Sequence, residues 1–278
     1  MATMELFCAV IVGLYVAVKL KRSDARGAFL ARMAFLVAAG WLGENTIIHA
    51  YGFYQYSPEW SVFIDRVPLM VILVWPMVIH SAWDLARALT TRHVALVGAA
   101  IVLADASLIE PIAVQAGLWS WNHPGLFEVP PIGILGWALF AWACLVAFQA
   151  QRPWAAVLAA PAFAHASLFA CWWVFFRWVD GTVAPWPVVT VAWVLSVGLG
   201  VHAMRSHLRD RLTLSDMLLR MPGALFFFVL LAMHGRELPA LVAYAVAFAP
   251  PYLAMTPWTG RTPPETAASE SSAHMTKS

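Results

Sequence analysis

The stretch Asp105–Trp137, DASLIEPIAVQAGLWSWNHPGLFEVPPIGILGW, decides how the chain is read. Two carboxylates, Asp105 and Glu110, ride in an apolar run that breaks at Pro111. An aromatic turn with Trp119, Trp121 and Phe127 follows, and apolar sequence resumes after Pro130 and Pro131. Apolar runs of about twenty residues read as membrane-spanning helices. An ionisable group at that depth is costly and points first to function. The alternative for either residue alone is pairing with a polar neighbour inside a helix bundle.

The rest of the chain has the same character. Of its 278 residues 62% are hydrophobic, the mean hydropathy is +0.72, and only 12% are charged, about half the share usual in soluble domains. The predicted class is all-α: a polytopic transmembrane helix bundle of about eight or nine spans. The spans are expected near 4–19, 28–50, 67–89, 94–114, 131–150, 154–178, 185–204, 221–234 and 238–256, the eighth being short. Arg205–Arg220 reads as a basic interfacial helix, because its leucines and Met217 fall at helical spacing. Residues 1–258 form one transmembrane domain, and 259–278, rich in Thr, Pro, Ser and Glu, a disordered cytoplasmic tail. A net charge of +2 gives no footprint for nucleic acid. Cys8, Cys144 and Cys171 lie in apolar segments without a CxxC and read as small hydrophobes. The positive charges follow the first apolar run, the reverse of a cleavable signal.

Of the 17 Lys and Arg residues, all but Arg66, Arg177 and Arg236 fall on one side of the alternating spans. Basic loops mark the cytoplasmic side. The expected protein is therefore a multi-pass integral membrane protein of a prokaryotic plasma membrane, N-terminus outside and C-terminus cytoplasmic. On that topology Glu44, His49 and Glu110 lie in the outer half of their spans and Asp105 near mid-depth. The loops 51–66 and 115–130 are both outside. The polar and aromatic residues of the first half thus converge at one level.

The candidate catalytic residues are Glu44, Glu110 and Asp105. Glu44 sits among small and apolar residues in LVAAGWLGENTIIHAYG. Desolvation favours the neutral form of a carboxyl group, so the functional reading is an acid that protonates an alkene or activates water. The bland reading is a bridge to Asn45 or to another helix. Asp105 and Glu110 are five residues apart, about 140° around a helix, so one of the two is expected to face a given cavity. Glu110 is favoured for catalysis and Asp105 for orientation. Tyr51, Tyr54, Trp75, Trp119, Trp121 and Trp137 are the candidate substrate-binding residues. Their rings either stabilise a carbocation or form an interfacial belt. His49, His80 and His165 lack metal-ligand spacing and His123 reads as a loop residue, so neither metal nor cofactor is expected. Asp84 is expected to pair with Arg87, and Asp65–Arg66 to mark a helix start. There is no GxSxG, Walker A, GxGxxG or DxxxD, which argues against hydrolase, nucleotide and prenyl-diphosphate chemistry.

From Glu44 to Trp137 the ordered set of features resembles the carotenoid-biosynthesis membrane proteins that include the γ-carotene and bisanhydrobacterioruberin hydratases. The carrying residues are Glu44, then Tyr51, Gly52, Phe53, Tyr54 and Tyr56, then Pro68, Leu69, Trp75 and Pro76, then Asp105 and Glu110-Pro111. Gly117, Trp119, Trp121, Val129-Pro130 and Gly136-Trp137 complete it. The family's Asp-Pro is Glu110-Pro111 here, its Ser-Asn after Val-Pro is Ile132-Gly133, and its tyrosine pair and glycine are Leu126, Phe127 and Glu128. The resemblance implies a divergent member that adds water across an isoprenoid double bond within the membrane. A cyclase starting from the same protonation, and a non-enzymatic pigment carrier or assembly protein, are the alternatives. The expected partners are a lipophilic isoprenoid and membrane lipid, with no nucleic acid; the oligomeric state is left open.

Overall fold

The computed structural model describes residues 1–123, 125–178 and 183–257. Seven long helices come first: α1 (Ala2–Arg22), α2 (Arg26–Tyr51), α3 (Leu69–Leu89), α4 (Val94–Gln115), α5 (Pro131–Gln149), α6 (Ala156–Val174) and α7 (Pro185–Arg205). Then follow α8 (Leu214–Leu218), α9 (Met221–Leu230), α10 (Pro239–Val246) and α11 (Ala249–Met255). Eight described helical segments are long and apolar enough to cross a membrane, the eighth running Leu214–Gly235. The chain is a multi-pass, all-α membrane protein.

Helices α2 to α6 surround the main core, where Leu36, Ile79, Val102, Ala141 and Leu145 are almost fully buried. Pro76, Pro111 and Pro161 lie inside α3, α4 and α6. Each removes a backbone donor, which membrane helices tolerate where neighbours re-satisfy the freed groups.

The C-terminal third departs from expectation. The eighth span is full length because it absorbs the end of the stretch expected to lie at the interface. A capping box of Thr213 and Asp216 starts it, and Pro222 in the first turn of α9 interrupts it next to Arg220. The expected ninth span is two short helices, α10 and α11, because Pro250 and Pro251 fit only a first helical turn. Two basic residues assigned to the cytoplasmic side, Arg32 and Arg220, lie inside the helix bundle. Arg32 Nε is 3.5 Å from His80 Nε2, and Arg220 pairs with Asp105 at 2.5 Å. Asp84 pairs with Lys19 at 2.6 Å and His80 at 3.2 Å, not with Arg87; Arg87 sits over the Trp83 ring instead. Cross-helix partners were invisible to spacing within one helix. The tail at 259–278 lies outside the described residues.

One end of the bundle carries its only paired strands among the described residues. β1 (Tyr54–Tyr56) pairs antiparallel with β4 (Trp119–Trp121), in the register Tyr54↔Trp121 and Tyr56↔Trp119. β2 (Phe63–Ile64) and β3 (Val67–Pro68) form a small hairpin. Helix α2 stops at Gly52, whose φ of 59° is left-handed and therefore open to glycine with little strain. The chain turns back there over the ends of α2 and α4. Asn122 N donates to Phe53 O at 2.8 Å and Trp60 Nε1 to Leu118 O at 3.0 Å, tying the two loops together. The expected meeting of these loops at one level is thus a backbone ribbon.

Candidate functional site

The ribbon brings four of six aromatic donors to the two carboxylates; Trp75 and Trp137 come from α3 and α5. Alternate residues of a strand share a face, so Tyr54 and Tyr56 point together, as do Trp119 and Trp121. Glu44, from α2, accepts from both tyrosines on one oxygen: the Tyr54 hydroxyl donates to Oε2, and the Tyr56 hydroxyl donates to it at 2.9 Å. Trp75 Nε1 donates to Oε1 at 3.0 Å. Glu110, from α4, accepts only from indoles. Trp119 and Trp121 donate to Oε2 at 2.8 and 3.0 Å, and Trp137 to Oε1 at 2.7 Å.

The six rings pair across the two carboxylates. Tyr54 meets Trp121 with centroids 4.7 Å apart, Tyr56 meets Trp119 at 5.9 Å, and Trp75 meets Trp137 at 4.5 Å. Each pair takes one ring from the Glu44 set and one from the Glu110 set. Glu110 is 2% exposed. Burial pushes the Tyr54 and Tyr56 hydroxyls well above the usual tyrosine range; both therefore keep their protons at ordinary pH.

The arrangement depends on a missing side chain. A Cβ built at Gly133 would lie 2.5 Å from Trp121 Cζ2 and 2.6 Å from Cη2. The indole is held between Tyr54 and Glu110 and cannot swing aside cheaply. Gly133→Ala is expected to displace Trp121 and destabilise by about 1–3 kcal/mol, the usual cost of overpacking, with a drop in activity. Thermal unfolding in detergent checks it; an unshifted midpoint would show that Trp121 has room.

Glu44, Glu110 and Asp105 all line one cavity of about 420 Å³. Both carboxylates of α4 reach it, although one was expected to. The cavity extends along the helix, touching α3 and α5 near Glu110 and α9 and α11 near Asp105. The two are nonetheless in different company. Asp105 accepts from Arg220 Nη2 at 2.5 and 2.6 Å and from the Tyr252 hydroxyl at 3.0 Å. Trp75, Trp119, Trp121, Trp137 and Tyr54 are on the cavity wall; Tyr51 is not. The Tyr51 hydroxyl lies 3.1 Å from His165 Nδ1 on α6, and its ring stacks on Phe53. As the last residue of α2 it precedes the Gly52 turn that redirects the chain toward the site.

Asn45, the bland partner considered for Glu44, is engaged elsewhere. Its Nδ2 donates to Asp65 Oδ2 at 2.8 Å, and His49 Nε2 lies 2.7 Å from the same oxygen. These hydrogen bonds, Asn45 first, hold the exposed Asp65 carboxyl below its ordinary range. Among the described residues no group of three or more His, Cys, Asp or Glu is placed to hold a metal.

Three participants escaped the candidate residues. Tyr56 was legible, since it lies two residues from Tyr54, which is strand spacing. Arg220 and Tyr252 were not: one sits in a basic stretch and the other after two prolines, and nothing local marks them as buried.

A family model for carotenoid biosynthesis proteins matches residues 1–200. The chain belongs to that family. Membership gives it a role in carotenoid biosynthesis. Glu44, Glu110 and their six ring donors all fall inside the matched region, while Arg220 and Tyr252 fall beyond it. No curated protein and no solved structure matches the chain.

Proposed function

We propose that the protein is an intramembrane enzyme that adds water across a double bond of a long carotenoid precursor, with Glu44 as acid and Glu110 as the fixed anion. The observation that carries the assignment is the difference between the two donor sets. Indole N–H groups donate and cannot accept. All three partners of Glu110 are of this kind, so none can take a proton from it. A tyrosine hydroxyl both donates and accepts. Glu44 can therefore hold a proton against Tyr54 or Tyr56 and release it.

In the proposed reaction the Glu44 proton adds to one alkene carbon, and the π electrons form the new C–H bond. The other carbon becomes a tertiary cation facing the Glu110 carboxylate and the ring faces of Trp75, Trp121 and Trp137. Cation–π attraction to desolvated rings is worth about 2 kcal/mol or more. Water then bonds to the cation through oxygen, and its surplus proton returns to Glu44. The sum is one alkene plus one water to one tertiary alcohol, with the acid regenerated.

One observation favours a second reading. Where the resembling family has a polar Ser-Asn pair, Ile132 and Gly133 stand here, and the Trp121 ring lies against Gly133. With less polar surface to hold water, a neighbouring double bond could capture the same cation, giving a ring. Product mass separates the two: a gain of one water supports the hydratase, and an isomer supports the cyclase.

The carboxylate end is proposed to face the outside, from the excess of Lys and Arg on the opposite side. Reporter fusions at Arg26, Thr90 and Arg152 are then expected to score cytoplasmic, and those at Trp60 and Asn122 external. A cytoplasmic score at Asn122 would reverse the orientation.

A further inference from the structure

The geometry points to a second recognition element in the same cavity: Asp105, Arg220, Ser81 and Tyr252 form a polar subsite for a hydroxyl group on the isoprenoid, so that the preferred substrate is a hydroxylated polyene, not the bare hydrocarbon. The inference rests on the reading that chemistry occurs at Glu44 and Glu110. The four residues come from α4, the α8–α9 junction, α3 and α11, and all line the cavity. Arg220 Nη2 pairs with Asp105 at 2.5 and 2.6 Å, and Nη1 donates to Ser81 Oγ at 2.7 Å. The Tyr252 hydroxyl donates to Asp105 Oδ1 at 3.0 Å. Arg220 Nε is buried with no hydrogen-bond partner among the described residues.

Holding helices together does not explain this cluster. Well-packed apolar residues of similar volume stabilise as well as a buried ion pair, or better. Charge at membrane depth is costly and points to function. The cavity lining within about one helical turn of these residues is apolar, with Met77, Val78, Leu108 and Leu219. A pure hydrocarbon lying there would leave four polar groups against CH surface. A free anion is disfavoured, because Asp105 already neutralises Arg220 and would repel it. A hydroxyl suits the set: it can donate to the carboxylate while accepting from the guanidinium, Ser81 or Tyr252. Asp105 precedes Glu110 by five residues, about 7.5 Å along the helix. The recognised oxygen is therefore displaced from the reacting double bond toward the part of the cavity lined by Arg220 and Tyr252. Arg220 and Tyr252 lie beyond the matched residues 1–200, so half of this subsite comes from the part of the chain outside the family match.

The test measures binding, independently of turnover, by quenching of tryptophan fluorescence in protein reconstituted in lipid nanodiscs. The probes are an acyclic tetraterpene polyene and its mono-hydroxylated derivative. The wild type is expected to bind the hydroxylated probe about tenfold more tightly, the worth of one net hydrogen bond. Asp105→Leu combined with Arg220→Met removes both charges at once, and the preference should collapse to within about threefold. Ser81→Ala combined with Tyr252→Phe keeps the ion pair, should also narrow the preference, and decides the matter alone if the first variant fails to insert. Equal affinities in the wild type, or an unaltered ratio in the variants that insert, would overturn the subsite. Tight binding of the hydroxylated probe without any water gain would instead sink the hydration chemistry and leave the subsite standing.

Discussion

Glu44→Gln is expected to abolish turnover in a protein that still inserts and folds. The change keeps the shape of the side chain and removes its acidic proton. The hydrogen bonds around it adapt. The amide oxygen can still accept from Trp75 Nε1, now 3.0 Å from Glu44 Oε1. The new amide N–H groups face Tyr54 and Tyr56, whose hydroxyls turn from donating to accepting. No buried donor is left opposite another donor, so the unfolding midpoint should move little. Chemistry cannot adapt in the same way, because alkene protonation needs an acid. General acid–base groups contribute about 10²–10⁴-fold, and an amide supplies none of it. The measurement is product formation in cells or membranes, with insertion and thermal stability checked on the same sample. Substantial product from well-folded Glu44→Gln would leave the mechanism without its central residue.

The two carboxylates and most of their aromatic partners were legible because each sits where an ordinary membrane helix would not put it. Glu44 and Glu110 interrupt apolar runs, and Trp119 and Trp121 share the i, i+2 spacing of one strand face. What the chain could not announce was the pairing of β1 with β4. Three-residue strands without a flanking turn motif look like any interfacial loop, and the register that seats Tyr54 beside Trp121 is a long-range fact. Tyr54 was accordingly read with a membrane belt as the even alternative; the structure buries it to 8% exposure and aims its hydroxyl, with that of Tyr56, at Glu44. Asp84 and Asp105 went the same way. Local spacing offers Arg87 to Asp84 and nothing to Asp105, whereas the folded chain supplies Lys19 and Arg220 from distant helices. The helices themselves were set by apolar run length, except where a proline decides. Pro222 divides the eighth span without ending it, and Pro250-Pro251 cuts the expected ninth into two short helices. Composition alone weighs those prolines equally.

Glu110→Gln is expected to behave differently from Glu44→Gln, although the chemical change is the same. The three donors on Glu110 are indoles with no capacity to accept. Whichever way the amide is turned, its NH₂ group replaces an oxygen that accepts from Trp137 or from Trp119 and Trp121. At least one buried indole N–H then faces another donor, and the amide hydrogens find no acceptor among these rings. A buried donor left unsatisfied costs about 1–3 kcal/mol, and Glu110 is 2% exposed, so water offers little relief. The expected result is a clear fall in the unfolding midpoint, larger than for Glu44→Gln. Activity should fall with it by about 100-fold or more, because the cation loses its facing anion in a site where electrostatic terms are strong. Tryptophan substitution separates the two effects. In the Glu110→Gln background, Trp137→Phe removes one conflicting donor, and it should recover part of the stability when Trp137 is the group opposed. On the other oxygen Trp121→Phe removes one of two donors, and Trp119 remains. Neither should recover activity, since neither restores the charge. If Glu110→Gln is as stable as the wild type, the indole donors are not bound to an obligate acceptor, and the division of roles between the two carboxylates fails.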